Sequence, residues 1–257
     1  MKLRVIHETV YHYTPTVQNA QHMAHLRPRT SMVQRVLTHS LQVDPAPTQC
    51  TMVQDVFGNT RTFFSLPFTH EQLRVRAESL LETLPVSAAP PGEPWEAVRE
   101  RLGYRRGQPY HAATEFSFAS PYIPRHADFV AYAAESFAPG RPLMQAARHL
   151  MSRIHADFAY TANATDAGTP ALESLRLRRG VCQDFAHVMI GCLRSLGLPA
   201  RYVSGYMLTQ PPPGKPRLIG ADASHAWVQV YCPTLPGTTR PAWPGSDGDR
   251  QPSASET

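Results

Sequence analysis

The chain has 257 residues, with 25 Lys and Arg against 20 Asp and Glu, a formal net charge of +5. At about 150 residues per domain this is one large or two modest domains, long enough to bury a core. The basic residues are scattered rather than blocked. Arg105-Arg106 and Arg176 to Arg179 read as solvated faces, so no nucleic-acid partner is expected. No window approaches the ~18 apolar residues of a membrane-spanning helix, so no membrane partner is expected. The segment from Met1 to Glu8 is charged early and lacks the apolar run of a signal peptide, and the expected location is cytoplasmic.

Residues 1–84 read as a β-rich domain. Leu3, Val5, Thr9, Tyr11 and Tyr13 share one parity, as in a strand with one buried face. Thr51 to Phe57, then Gly58-Asn59, then Thr60 to Leu66 predict a hairpin, and such closely spaced strands suggest a small sandwich. From Pro85 to Pro94 the chain is rich in Pro, Ala and Gly and reads as a linker. Prolines at 109, 121, 124 and 139 punctuate residues 95–141, so 85–141 is expected to hold a linker, short helices and loops packed across two domains.

A third segment spans 142–232. Leu143, Ala146, Ala147, Leu150 and Ile154 predict a helix over 142–156. Phe185, Met189 and Leu193 predict a second helix from Cys182 to Leu196, stopped by Gly197 and Pro199. Strands are expected over Ala200 to Leu208 and His225 to Tyr231, separated by a Pro/Gly loop that could rim a cleft or be a plain solvent loop. Residues 233–257 hold five prolines, three glycines and a single residue from Val, Ile, Leu and Met, Leu235, which predicts a disordered tail.

The chemistry-bearing segment is Gly180-Val181-Cys182-Gln183-Asp184-Phe185-Ala186-His187, which puts a cysteine where a loop enters an amphipathic helix. Unpaired N–H groups and the positive dipole end favour the reactive thiolate and can hold a developing oxyanion. His225, in Ser224-His225-Ala226-Trp227-Val228, starts a strand and is the candidate base; a cysteine nucleophile needs such a partner, which can be distant in sequence. Asp184 is offset by two from Cys182 and reads as structural or substrate-facing, with Arg201 as one possible partner. Cys50 and Cys192 read as buried and inert. The four cysteines are too few for a disulfide scaffold and show no CxxC pairing; His22 and His25 lie three apart with no other ligand type nearby. No metal and no cofactor is expected.

These motifs, with Leu196-Gly197-Leu198-Pro199-Ala200-Arg201-Tyr202-Val203-Ser204-Gly205-Tyr206 between them, resemble the bacterial transglutaminase-like superfamily. Residues 1–84 look like the N-terminal domain that often precedes that core. The resemblance implies an α+β protein: a β-rich, sandwich-like N-terminal domain followed by a papain-like core of helices packed on an antiparallel sheet. It further implies that Cys182 attacks a carbonyl of a peptide or amide substrate to form a thioester. His225 would activate the thiol, and Tyr160 is a candidate oxyanion donor. The acyl group would then pass to water or to an amine, with a protease or amidase expected over a cross-linking transglutaminase.

The family's third residue, an aspartate in an Asp-Pro-Thr-like segment on the next strand, finds no match after Tyr231-Cys232-Pro233. The later Asp247 and Asp249 sit among poor strand formers. Two readings of this stay open, a shifted reading frame and natural divergence. Loss of a His-orienting carboxylate can cost on the order of 10⁴ in rate, less for a thiolate nucleophile. A second function therefore stands beside the enzyme, a non-catalytic binding or scaffold protein that keeps the fold.

Overall fold

The computed structural model describes residues 1–31, 33–85, 92–103, 105–107, 111–162, 164–166, 168–208 and 224–233. The chain divides into two compact units, Met1–Val86 and Ser87–Thr257.

The first unit is built from two three-stranded antiparallel sheets. β1 (Lys2–Val17), β6 (His70–Thr83) and β3 (Gln34–Asp44) form one, in the order β1-β6-β3. β2 (Ala20–Ala24), β5 (Thr60–Leu66) and β4 (Gln49–Gln54) form the other, in the order β2-β5-β4. Phe64 and Leu66 of β5 join Leu73 and Val75 of β6 in one core, with Tyr13, Ala20, Leu41 and Val43 packed against it. Both sheets thus turn an apolar face inward, which is the sandwich expected from the strand spacing. The predicted parity of β1 holds at Leu3, Val5, Thr9 and Tyr13, but Tyr11 is exposed. The predicted hairpin is β4–β5. Its connection closes on Asp55, whose carboxylate accepts the backbone N–H of Phe57 at 2.9 Å and of Asn59 at 2.8 Å.

The second unit packs helices on a two-stranded sheet. α1 (Trp95–Leu102), a 3-10 turn over Ala112–Ser117, α2 (Ala127–Ala133), α3 (Leu143–Asp157) and α4 (Ala171–Leu177) surround α5 (Cys182–Ser195). The short helices expected in 95–141 do form. They contribute to this unit's core: Trp95, Val98, Leu102, Phe129 and Tyr132 are buried there with Leu143, Leu150, Val188, Ile190 and Leu193. Gly191 lies under Phe129; a Cβ there would sit 2.8 Å from the ring, so only glycine lets that ring close on α5.

β9 (Ala200–Gly205) and β10 (His225–Val230) pair antiparallel, His225 opposite Gly205 and Val230 opposite Ala200. Val228 and Val230 join the helical core, so this face of the ribbon covers α5. Two short strands, β7 (Ala159–Tyr160) and β8 (Arg179–Gly180), pair in parallel just before α5. All but Ser224 of the loop read at 209–224, and all but the first residue of the tail read as disordered, lie outside the described residues, as do Asp247 and Asp249.

Candidate active site

Cys182 is the first residue of α5, and it is half-buried. What fixes it there is the carboxylate of Asp184, in the first turn of the same helix and 2% exposed. Asp184 Oδ2 accepts the backbone N–H of Val181 at 2.8 Å and the hydroxyl of Thr165 at 2.6 Å, and Oδ1 accepts the hydroxyl of Ser174 at 3.0 Å. A carboxylate reaching back to the residue that precedes the helix satisfies one donor of the entering loop and complements the helix dipole. The approach leaves no room for a side chain at Gly180, where a Cβ would lie 2.4 Å from Asp184 Oδ2. Asp184 is therefore structural. It does not pair with Arg201, whose Nε donates to Gln229 Oε1 at 2.8 Å.

The β7–β8 pair brings Tyr160 to the same place. Tyr160 stands opposite Gly180 in register, and the N–H of Thr161 donates to Gly180 O at 2.9 Å. The Tyr160 ring is 68% exposed and rests edge-on against Phe185 of α5, centroids 6.2 Å apart. A solvent-facing phenol thus stands beside the loop that delivers Cys182.

His225 is the first residue of β10 and is partly buried. Alternation along the strand groups it with Trp227, which lies over Gly205: a Cβ at Gly205 would sit 2.6 Å from the Trp227 ring. Among the described residues no hydrogen bond joins His225 to Cys182. The structure thus brings Cys182 and Tyr160 to one end of α5 and sets His225 at the start of a strand that packs on that helix.

A residue that sequence reasoning passes over is Tyr202 on β9. Burial raises its phenol pKa, and the charge of Cys182 raises it further, so Tyr202 stays a protonated donor within electrostatic reach of the thiol. Its ring leans on His187 of α5 (5.3 Å between centroids), and His187 stacks on Tyr122 (6.2 Å). The signal is present in the motif around Arg201-Tyr202-Val203, but only the β9–α5 packing gives it meaning. The remaining thiols differ in kind. Cys192 is fully buried, and burial pushes its pKa up to about 12. Cys50, expected to be buried, is exposed on β4.

Residues 3–82 match the family described as the bacterial transglutaminase-like N-terminal region, and residues 130–241 match the transglutaminase-like superfamily. The uncharacterized protein Rv2569c of Mycobacterium tuberculosis is 43% identical over 256 residues, 96% of this chain and 78% of that protein. The chain belongs to the transglutaminase-like superfamily. A protein-glutamine gamma-glutamyltransferase of Pseudomonas aeruginosa is 32% identical over 99 residues, 37% of this chain and 15% of its own. A crystal structure described as a candidate cysteine protease from Cytophaga hutchinsonii superposes with a TM-score of 0.69 at 18% identity. It covers 90% of this chain and 73% of that one, and it shows the shared fold.

The helix entrance sets two expectations for stability. Replacing Asp184 by Ala orphans two hydroxyls and the Val181 N–H and should cost about 2–5 kcal/mol in urea unfolding; a loss under ~0.5 kcal/mol would refute the anchoring role. The His187 imidazole pKa is lowered by burial, with Asp184 opposing and Arg194 assisting, and its buried Nδ1 has no hydrogen-bond partner among the described residues. The unfolded chain takes up this proton near about 6.5 and the folded chain only at lower pH, so stability is full above that value and falls on acidification. His187→Gln should lose less stability than the parent between pH 7.5 and pH 5.5; equal losses would contradict it.

Proposed function

We propose that this chain is a thiol-dependent acyl-transfer enzyme that cleaves or exchanges an amide or peptide bond through a thioester on Cys182. The observation that carries the reading is the half-buried Cys182 at the first position of α5, whose first turn is held by the buried, fully hydrogen-bonded carboxylate of Asp184. Cys182 Sγ attacks the carbonyl carbon, and the resulting oxyanion is taken by the first-turn N–H groups and by the Tyr160 hydroxyl. Collapse breaks the C–N bond, and the leaving amine takes the proton that His225 removed from the thiol. Water then attacks the thioester, releasing the acid and restoring the thiol. Hydrolysis is favoured over cross-linking because water needs no built site, whereas an amine acceptor does.

A second reading, a non-catalytic binding or scaffold protein on the same fold, is supported by one observation: Cys182 and His225 share no hydrogen bond among the described residues. Cysteine labelling separates the two. In the enzyme, iodoacetamide labels Cys182 below neutral pH faster than the exposed Cys50, Cys192 stays unlabelled until the protein unfolds, and His225→Ala slows Cys182. Labelling of Cys182 no faster than Cys50, and unchanged in His225→Ala, would favour the scaffold.

A further inference from the structure

The first unit holds a cavity of ≈ 570 Å³ that has no role in the chemistry proposed for Cys182. Its walls include Arg27, Arg29 and Thr30 from the connection between β2 and β3, Met52 and Val53 of β4, and Gly58 of the hairpin turn.

Its charge is unbalanced. Among the described residues neither Arg27 nor Arg29 meets a carboxylate. The acidic residue of the hairpin turn, Asp55, is fully engaged by the N–H groups of Phe57 and Asn59, the Asn59 amide at 3.1 Å and Arg61 at 3.2 Å. The segment that carries Arg29 is anchored. Gly58 has φ +77°, and a Cβ there would sit 3.1 Å from Arg29 Nη2, so the guanidinium lies against the bare turn. Gln34 Nε2 donates to Arg29 O at 2.7 Å, and Val36 N–H donates to Thr30 Oγ1 at 3.2 Å, which pins the connecting segment.

The cavity adjoins a sheet edge. β4 is the outer strand of β2-β5-β4, and every residue of Gln49–Gln54 is exposed. It carries no charge and no proline, the usual devices that keep an edge from pairing with another strand. Among the described residues one side of its backbone has no strand partner, and Arg27 and Arg29 line the cavity beside it.

From this juxtaposition we infer that β4 and the Arg27–Arg29 segment form a docking site for an extended, acidic peptide segment. The peptide backbone adds a strand to β4 and its carboxylates reach Arg27 and Arg29. A nucleic acid has no backbone that continues a β-ladder. A second copy of this chain would bring one pair of unpaired arginines toward another. The acidic peptide satisfies both features, and the inference is independent of the reaction at Cys182.

The test uses the full chain and a fluorescein-labelled peptide alternating Val and Glu, titrated by anisotropy, with its Val/Gln analogue, inorganic phosphate and a DNA duplex as comparisons. The acidic peptide should bind saturably and more weakly as salt rises. The Gln analogue, and the double variant R27Q/R29Q with an unchanged urea unfolding curve, should each lose roughly tenfold or more in affinity. Hydrogen exchange should slow at the amides of 49–54 in the complex. Equal binding of the Gln analogue, equal binding by R27Q/R29Q, protection elsewhere than β4, or binding of phosphate or DNA without the peptide would each overturn it.

Discussion

The carboxylate of Asp184 is the interaction on which the candidate site depends. It ties three separate pieces of chain, the loop at Val181, the segment at Thr165 and helix α4 at Ser174, to the first turn of α5. Burying a carboxylate is costly unless its lone pairs are occupied, and here a backbone N–H and two hydroxyls occupy them. The glycine at 180 is the counterpart of this knot, since any side chain there would displace the carboxylate. The anchor and the thiol sit two residues apart on one helix, Asp184 buried and Cys182 half-buried. Position, rather than any special feature of the cysteine itself, gives Cys182 its chemical promise.

Around that helix the rest of the second unit acts as support. Gly191 admits Phe129 to the centre of α5, and Val228 and Val230 seal the ribbon against it. The aromatic row Tyr122–His187–Tyr202 runs from α5 to β9 and ends with a phenol within electrostatic reach of the thiol. Tyr160, reached through only a two-residue parallel pairing, flanks the same loop. His225 stands at the start of β10 without a hydrogen bond to Cys182. Among the described residues no carboxylate is hydrogen-bonded to His225, and such a contact is what fixes an imidazole's tautomer and direction.

The parts of this arrangement that are legible in the sequence are the local ones. The i, i+4, i+8 row of Phe185, Met189 and Leu193 and the Gly197–Pro199 stop locate α5 to within one residue, and the strands at β9 and β10 are visible as short apolar runs. The long strands β3 and β6 are hard to read because more than half of their positions are charged or polar. Leu73, Val75, Ala77 and Leu81 alternate with Arg74, Arg76, Glu78 and Glu82, and the pattern gains meaning only once β6 is seen in the centre of its sheet. The offset of Asp184 from Cys182 correctly separates the two side chains. Its partners Thr165 and Ser174 cannot be named from it, since nothing in sequence spacing brings an irregular segment and α4 to one carboxylate. Cys50 departs from expectation for a related reason: apolar character suggests burial, yet both faces of an edge strand can be exposed.

Whether Cys182 is a nucleophile that carries an acyl group is tested most directly by trapping that group. The protein is mixed with an activated acyl ester, quenched in acid and mapped by peptide mass spectrometry. A catalytic Cys182 gives a hydroxylamine-labile acyl adduct on the peptide that contains it, absent from Cys182→Ala and from the unfolded chain. A folded protein that shows no adduct at Cys182, or carries it equally on Cys50, would contradict the acyl-transfer role.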